Sequence, residues 1–343
     1  MKLGIIGFPD AGKATIFEAL TRSIPVSHHK EEDRVGTIRV PDPRIDYLSE
    51  IYRPRKTTYA QVEYFLPGGA SQKKERNRGQ GLSSHVKECD ALIHVVRNFA
   101  GSEIETPSPV KDFFSLDQEL MFSDLVVVEK RLERFRAEKQ RGSVNADELS
   151  LLETGHELLE NEIPLRRKRE VAEAPLLKGY AFISAKPVLV LFNNNDDDDT
   201  LPDADNPNFA EECIVVRGRL EHEIAQMTDE EAAEFLAEYN IAASAMDRVI
   251  EKSYRLLGLI SFFTVGDDEV RAWTIKRGTR AVDAAGAIHS DIRKGFIRAE
   301  VLAYNDFIAA GTYGEARKRG TVRLEGKEYE VMDGDIINFR FNV

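Results

Sequence analysis

Apolar residues along this chain recur with two different periods, and the change of period marks out its elements. "KLGIIGF", "DALIHVVRNF" and "KPVLVLFNN" are short, near-continuous apolar runs, as expected of strands buried on both faces of a parallel sheet. "ATIFEALTR" follows the first run with helical spacing. "TIRVPDPRIDYLSEI" reads as a strand, a Pro-bounded turn and a helix, and "YAQVEYFLPGG" as a strand entering a glycine turn. Strands alternating with helices predict an open α/β sheet with right-handed crossovers.

Between the second and third apolar runs the period lengthens. "SLDQELMFSDLVVVEKRLERFRAEKQRG" and "ADELSLLETGHELLENEIPLRRKRE" carry apolar residues three and four apart, laced with charge. They predict two antiparallel helices inserted as a hairpin, turning at "RGSVNA". The basic run at Arg166 reads as a solvated helix end, with a nucleic-acid patch as the alternative. From Gly258 five short strand patterns surround "AVDAAGAIHSDIRKG", predicting a small mixed sheet with one helix, of ubiquitin-like architecture. The expected division is a nucleotide-binding domain at 1–114 and 186–257, a helical hairpin at 115–185 and a terminal domain at 258–343.

Composition narrows the class. Apolar residues make up 42% and charged residues 31% of 343, ordinary for a globular protein. No apolar run is long enough to span a membrane, and "MKLGII" has no signal-peptide pattern. Cys89 and Cys213 form no CxxC or Cys/His grouping and read as structural thiols in a reducing cytoplasm. The net charge of −12 lies wholly before Gly258, because the terminal third has 13 basic and 13 acidic residues. So acidic a chain does not coat nucleic acid indiscriminately. Nothing points to DNA, and any RNA contact needs a local patch, for which the terminal third is the best place.

Chemistry concentrates in "GFPDAGKAT", residues 7–15, which nearly spells the phosphate-binding loop G-x-x-x-x-G-K-[ST]. An apolar strand precedes it and a helix follows, as the motif requires. Glycines let backbone N–H groups turn toward an anion, the helix dipole adds to the field, and Lys13 supplies a point charge. Ala14 stands where Mg²⁺ would find a hydroxyl, and Thr15 points about 100° away. The second ligand, an aspartate ending a later strand, should follow "YAQVEY", but the chain continues "FLPGG" and has no aspartate between Asp46 and Asp90.

Together these pieces resemble the YchF family, the Obg-like ATPases among the translation-factor-related GTPases. The resemblance covers nearly the whole chain. "VPDPRIDYLSEI" and "ECDALIHVVRNF" look like its nucleotide-domain signatures, and the charged hairpin looks like its inserted coiled coil. "EVRAWTI", "GFIRAEVLAYNDFI" and "RLEGKEYEVMDGDIINFRFNV" look like its terminal TGS region. The implied fold is an α/β P-loop NTPase domain with an inserted helical hairpin and a carboxyl-terminal ubiquitin-like TGS domain. The implied activity is Mg²⁺-dependent hydrolysis, with ribosomes or the translation machinery as partner and RNA contact through the TGS domain.

By position, Gly7, Asp10, Ala11, Gly12, Lys13, Ala14 and Thr15 fall on the family's phosphate loop. Leu66 falls on the strand-end aspartate and Gly69 on the glycine after it. Asn193 to Asp196 fall on the base-reading segment Asn-x-x-Glu, whose glutamate accompanies ATP and whose aspartate, in GTPases, accompanies guanine. Asp196 leaves ATP and GTP both open, as do the neighbouring registers with Asp197 or Asp198. Arg217 and Gly218 replace a Ser-Ala pair. The first switch has no threonine ahead of Val35, and His28 and His29 read as surface residues rather than a metal pair. The second switch gains Lys73, Lys74, Arg76 and Arg78, read as a surface loop with phosphate contact as the alternative. No catalytic residue is assigned. Three functions stay open: a purine-nucleotide binder with weak or lost hydrolysis and no protein Mg²⁺ site, an active ATPase or GTPase, and a nucleotide-independent adaptor.

Overall fold

The computed structural model describes residues 1–23, 32–68, 84–100, 106–139, 145–202, 211–238 and 244–342. His28, His29, Gly69, the basic loop Lys73–Arg78 and most of the "RGSVNA" turn lie outside them. The described strands are β1 (Lys2–Ile6), β2 (Arg34–Arg39), β3 (Lys56–Thr58), β4 (Gln61–Leu66), β5 (Ala91–Asn98) and β6 (Val188–Asn194), then β7 (Glu212–Val216), β8 (Leu259–Thr264), β9 (Glu269–Lys276), β10 (Phe296–Ala303), β11 (Arg323–Glu325) and β12 (Asp335–Phe341). They form two six-stranded sheets in two compact units. One unit comprises Met1–Thr37 and Glu63–Val249, the other Ile38–Val62 and Ile250–Val343.

The first sheet has the order β2-β4-β1-β5-β6-β7. β1 runs parallel to β4 and β5, and β6 runs parallel to β5 and β7. The three uninterrupted apolar runs are β1, β5 and β6, adjacent at its centre. Every residue of β6 is buried, so the absence of alternation in the sequence has a simple cause: both faces are covered. Ile6, Val96, Phe113, Leu116, Ile183 and Phe192 belong to the core on one face.

The inserted hairpin starts earlier than its charge pattern implied. Its first helix is Pro109–Lys139 and its second Ala146–Glu160. Val128, Leu132, Phe135, Leu152 and Leu159 close a core between them. Asn145 caps the second helix by accepting from the N–H groups of Asp147 and Glu148 at 3.1 and 3.2 Å. The helix ends at Glu160 and does not run on through "RRKRE". Pro164 removes a donor and disfavours helical backbone before it, and the chain continues as a 3-10 turn over Leu165–Arg167.

That break separates Arg166 from the rest of the basic run, whose Lys168 and Arg169 remain 51% and 85% exposed as a solvated stretch. Its guanidinium makes two bonds to Asp117, at 2.9 and 2.7 Å, and one to Glu211 at 2.9 Å. The three side chains are 8%, 8% and 4% exposed. Arg166 is neither a solvated end nor a nucleic-acid contact; it is a buried tie between the first arm helix and the entry to β7.

The second unit has the order β11-β10-β12-β8-β9-β3. β8 and β9 form an antiparallel hairpin, β12 pairs antiparallel with β10, and β12 runs parallel to β8. The helix Ala281–Ile288 presses Ala281, Ala284 and Ala285 into a core containing Ile260, Phe262, Val301 and Phe339. The five strands and this helix match the pattern read from Gly258 onward, but the expectation of one helix is corrected by three further short helices, Ser290–Lys294, Tyr304–Ala310 and Tyr313–Lys318. The segment 38–62 joins them: β3 adds to the sheet edge beside β9, and α2 (Pro43–Tyr52) stacks Tyr52 on Phe307 at 5.9 Å. Asp42 caps α2 by accepting from Arg44 N–H at 3.0 Å, and Arg44 also binds Asp333 at 3.0 Å. Sequence pattern alone assigned this segment to the nucleotide domain, because the ion pair and the ring stacking that hold it are long-range.

Candidate phosphate-binding site

The loop from Gly7 to Gly12 joins the end of β1 to α1 (Lys13–Thr21). Gly7 has φ 148° and Gly12 φ 90°, conformations that strain any side chain. Space forbids one as well: a Cβ on Gly7 would stand 2.3 Å from Val95 O, and one on Gly12 would stand 2.2 Å from Asn193 Nδ2. The loop is therefore backbone lying against backbone and amide. Asp10, with φ 59°, takes the left-handed turn between them. Lys13 Nζ donates to Gly7 O at 2.9 Å and Phe8 O at 2.6 Å, which holds its charge over the loop. Gly7, Asp10, Ala11, Gly12, Lys13, Ala14 and Thr15 thus form one continuous structure.

Asn193, 5% exposed, ties this loop to the sheet. Its amide donates to Ala11 O at 3.0 Å and its oxygen accepts from Gly218 N–H at 2.9 Å. Gly218 opens the helix Gly218–Ala225, and a Cβ there would lie 2.6 Å from Asn193 Oδ1. What reads in sequence as a lost Ser-Ala pair is here a close approach that only glycine permits. Asn194 is equally enclosed, donating to Thr200 O at 2.8 Å and accepting from Asn98 at 3.0 Å. Asp196 is more exposed and accepts from Leu220 N–H at 3.2 Å, at the start of the same helix. In this segment two asparagines hold the scaffold and Asp196 carries the accessible charge.

Two features escaped the sequence. His94, inside the apolar run of β5, is 3% exposed and stacks on Phe113 at 5.4 Å. Burial, reinforced by the nearby charges of Arg166 and Lys13, pushes its pKa down to about 3, so it is neutral. It lines a cleft of about 170 Å³ with Phe8, Asp10, Val95, Arg97 and Asp112. Asp33 accepts from Gly68 N–H at 2.8 Å and lies 2.7 Å from His85 Nδ1, bringing a carboxylate beside the end of β4. Only the order of β2 and β4 in the sheet puts it there.

The residues fit a phosphate group: glycine backbone, a helix N-terminus and one ammonium converge. They do not fit the usual protein grip on Mg²⁺. Ala14 has no oxygen in its side chain, and Leu66, at the end of β4, is an alkyl group only 6% exposed. Among the described residues no group of three or more His, Cys, Asp or Glu could hold a metal ion.

Comparison with known proteins adds a full-length match. The "Ribosome-binding ATPase YchF" of Bacillus subtilis (strain 168) is 39% identical over 364 residues, spanning 99% of each chain. The chain belongs to the YchF family. The Haemophilus ducreyi YchF of the same description is 38% identical over 100% of this chain and 99% of its own. A family model for the YchF carboxyl-terminal region, described as "Protein of unknown function (DUF933)", matches residues 259–342. Among solved structures, the Schizosaccharomyces pombe YchF GTPase superposes with a TM-score of 0.85 at 30% identity, covering 99% and 97% of the two chains. A GTP binding protein from Pyrococcus horikoshii OT3, at TM-score 0.57 and 17% identity, shares the fold. The family and the α/β P-loop fold class expected from the sequence are borne out.

Proposed function

We propose that this YchF-family chain binds a purine nucleotide, ATP or GTP, through residues 7–15 and associates with the ribosome, while hydrolysing its nucleotide weakly or not at all. The observation that carries this reading is the pairing of a complete backbone cradle with Ala14 and Leu66. Relatives named as ribosome-binding ATPases and as a GTPase support the nucleotide and the ribosome. Asp196 is the residue offered to the base, Lys13 the charge offered to the terminal phosphates. The terminal domain, 258–343, is the TGS domain in this reading and contacts RNA, and the cytoplasm is where the protein works.

Mg²⁺, when bound in such enzymes, neutralises charge developing on the transferred phosphoryl group. If each absent ligand weakens transition-state stabilisation by about 3 kcal/mol, the pair slows hydrolysis by roughly four orders of magnitude. The test is calorimetric titration with ATP, ADP, GTP and GDP, with and without Mg²⁺, alongside multiple-turnover phosphate release. Expected is binding that changes little with Mg²⁺ and turnover at least about a thousandfold below a relative with both ligands. Turnover equal to that relative's would overturn the reading in favour of an active enzyme, and no heat with any nucleotide would leave an adaptor.

A further inference from the structure

We propose that the cleft lined by His94 beside the phosphate loop is a binding site for a single-ring amino-heterocycle of the cytosine type. The proposal goes beyond nucleotide binding through the loop. None of Asn193 to Asp196 lines the cleft, and nothing in it depends on Mg²⁺.

Three elements enclose the space. Phe8, Asp10 and Ala11 come from the loop, His94 and Arg97 from β5, and Asp112 from the first arm helix. All lie within one compact unit. The volume of about 170 Å³ suits one six-membered ring, since an apolar cavity of about 150 Å³ takes up benzene. This cleft is not apolar, however. His94 is 3% exposed and stacked on Phe113 at 5.4 Å, yet its ring makes no hydrogen bond among the described residues. A buried polar group without a partner is costly, so an imidazole that lines a cleft has chemistry to offer whatever enters.

The lining selects the ligand by elimination. Burial and the charges of Arg166 and Lys13 keep His94 neutral, and a neutral imidazole presents one donor and one acceptor. As carboxylates Asp10 and Asp112 only accept, and Arg97 only donates. A phosphate would therefore meet two like charges. A cation would meet Arg97 and the same positive field that keeps the imidazole neutral. A bare hydrocarbon would leave His94 unsatisfied. A neutral ring with an amino group beside a ring nitrogen answers each demand. Its amino hydrogens suit a carboxylate, its ring nitrogen accepts from His94 or Arg97, and its face suits the Phe8 ring.

The test titrates the nitrogen-15-labelled full chain, without nucleotide, with 4-aminopyrimidine. NMR follows the ring nitrogens of His94, whose signal is identified by its loss in His94→Phe. Expected is a saturable shift with a dissociation constant of about 1 mM, the range open to a ligand of so few atoms. Benzene and pyrimidin-4-one should bind at least tenfold more weakly. Cytosine and cytidine monophosphate distinguish a free base from one carried on phosphate, and the two carboxylates should favour the free base at least threefold. His94→Phe keeps a ring against Phe113 and removes both nitrogens, so saturation-transfer signals from 4-aminopyrimidine should fall at least tenfold in affinity. If that variant fails to fold, Asp112→Asn, on a side chain only partly enclosed, still must weaken binding at least threefold. Glu119→Gln, exposed on the same helix, should change nothing. A His94 signal that does not move, benzene binding as well as 4-aminopyrimidine, cytidine monophosphate binding more tightly than cytosine, or equal affinity of wild type and Asp112→Asn each overturns the proposal. Because no nucleotide is present, these outcomes are independent of the functional reading above.

Discussion

Two arginine clusters in this protein, one from a contiguous basic run and one assembled from Arg298, Arg317 and Arg340 far apart along the chain, have opposite fates. In the first unit, Arg166 meets two carboxylates, Asp117 and Glu211, and all three side chains are enclosed. In the second, a single enclosed carboxylate, Glu300, serves two exposed arginines with a third directly opposite one of them. Where bases and acids balance, Arg166 and Arg167 against Asp117 and Glu211, and water is largely excluded, the cluster closes on itself and joins elements. Where bases outnumber the acid at the surface, the guanidinium groups keep more than half their area in solvent. The ratio and the burial decide the role, and neither is a property of the basic run.

The largest expected effect tests the closed cluster. Arg166→Ala takes the buried partner from Asp117, while Glu211 keeps Arg167, and should lower stability by about 3 kcal/mol in urea unfolding; a loss under about 1 kcal/mol would mean the pair is hydrated and the contrast false. Next comes Asn193→Ala, which leaves the Ala11 carbonyl and the Gly218 N–H without their buried partner. About 2–3 kcal/mol should be lost, with nucleotide affinity falling in the same variant by calorimetry.

The pH dependence is third. His94 has a folded pKa of about 3 against 6.5 unfolded, so between those values the unfolded chain holds the extra proton. Its contribution is complete above about pH 6.5 and is lost as pH falls, at about 1.4 kcal/mol per unit. His94→Gln should remove that one-proton slope from denaturation curves collected between pH 6.5 and 4.5. Smallest is Arg298→Gln, which relieves repulsion on the open face: melting should be unchanged or stabilised by about 0.5 kcal/mol. A clear destabilisation would make Arg298 a structural residue and dissolve the comparison.

The phosphate loop was legible because its requirements are local. Glycine backbone, a strand before and a helix after are all written within residues 2–21. The helical arm was legible in period but not in extent, since Pro164 ended a helix whose charge pattern carried on. Asp33, His94 and Gly218 were not legible. Each acquires its meaning from a residue far along the chain: Gly68, Phe113 and Asn193 respectively.

What the amino-acid order determined by itself was the central strands, the arm helices and the glycine loop between β1 and α1, because periodicity and short motifs act over a few residues. What only the tertiary structure decided was which charges are spent and which remain. β3 joined the edge of the second sheet, Arg166 was enclosed with Asp117 and Glu211, and Arg298 came opposite Arg340. Burial and pairing between distant residues set the energy of a charge, and no stretch of sequence contains both partners.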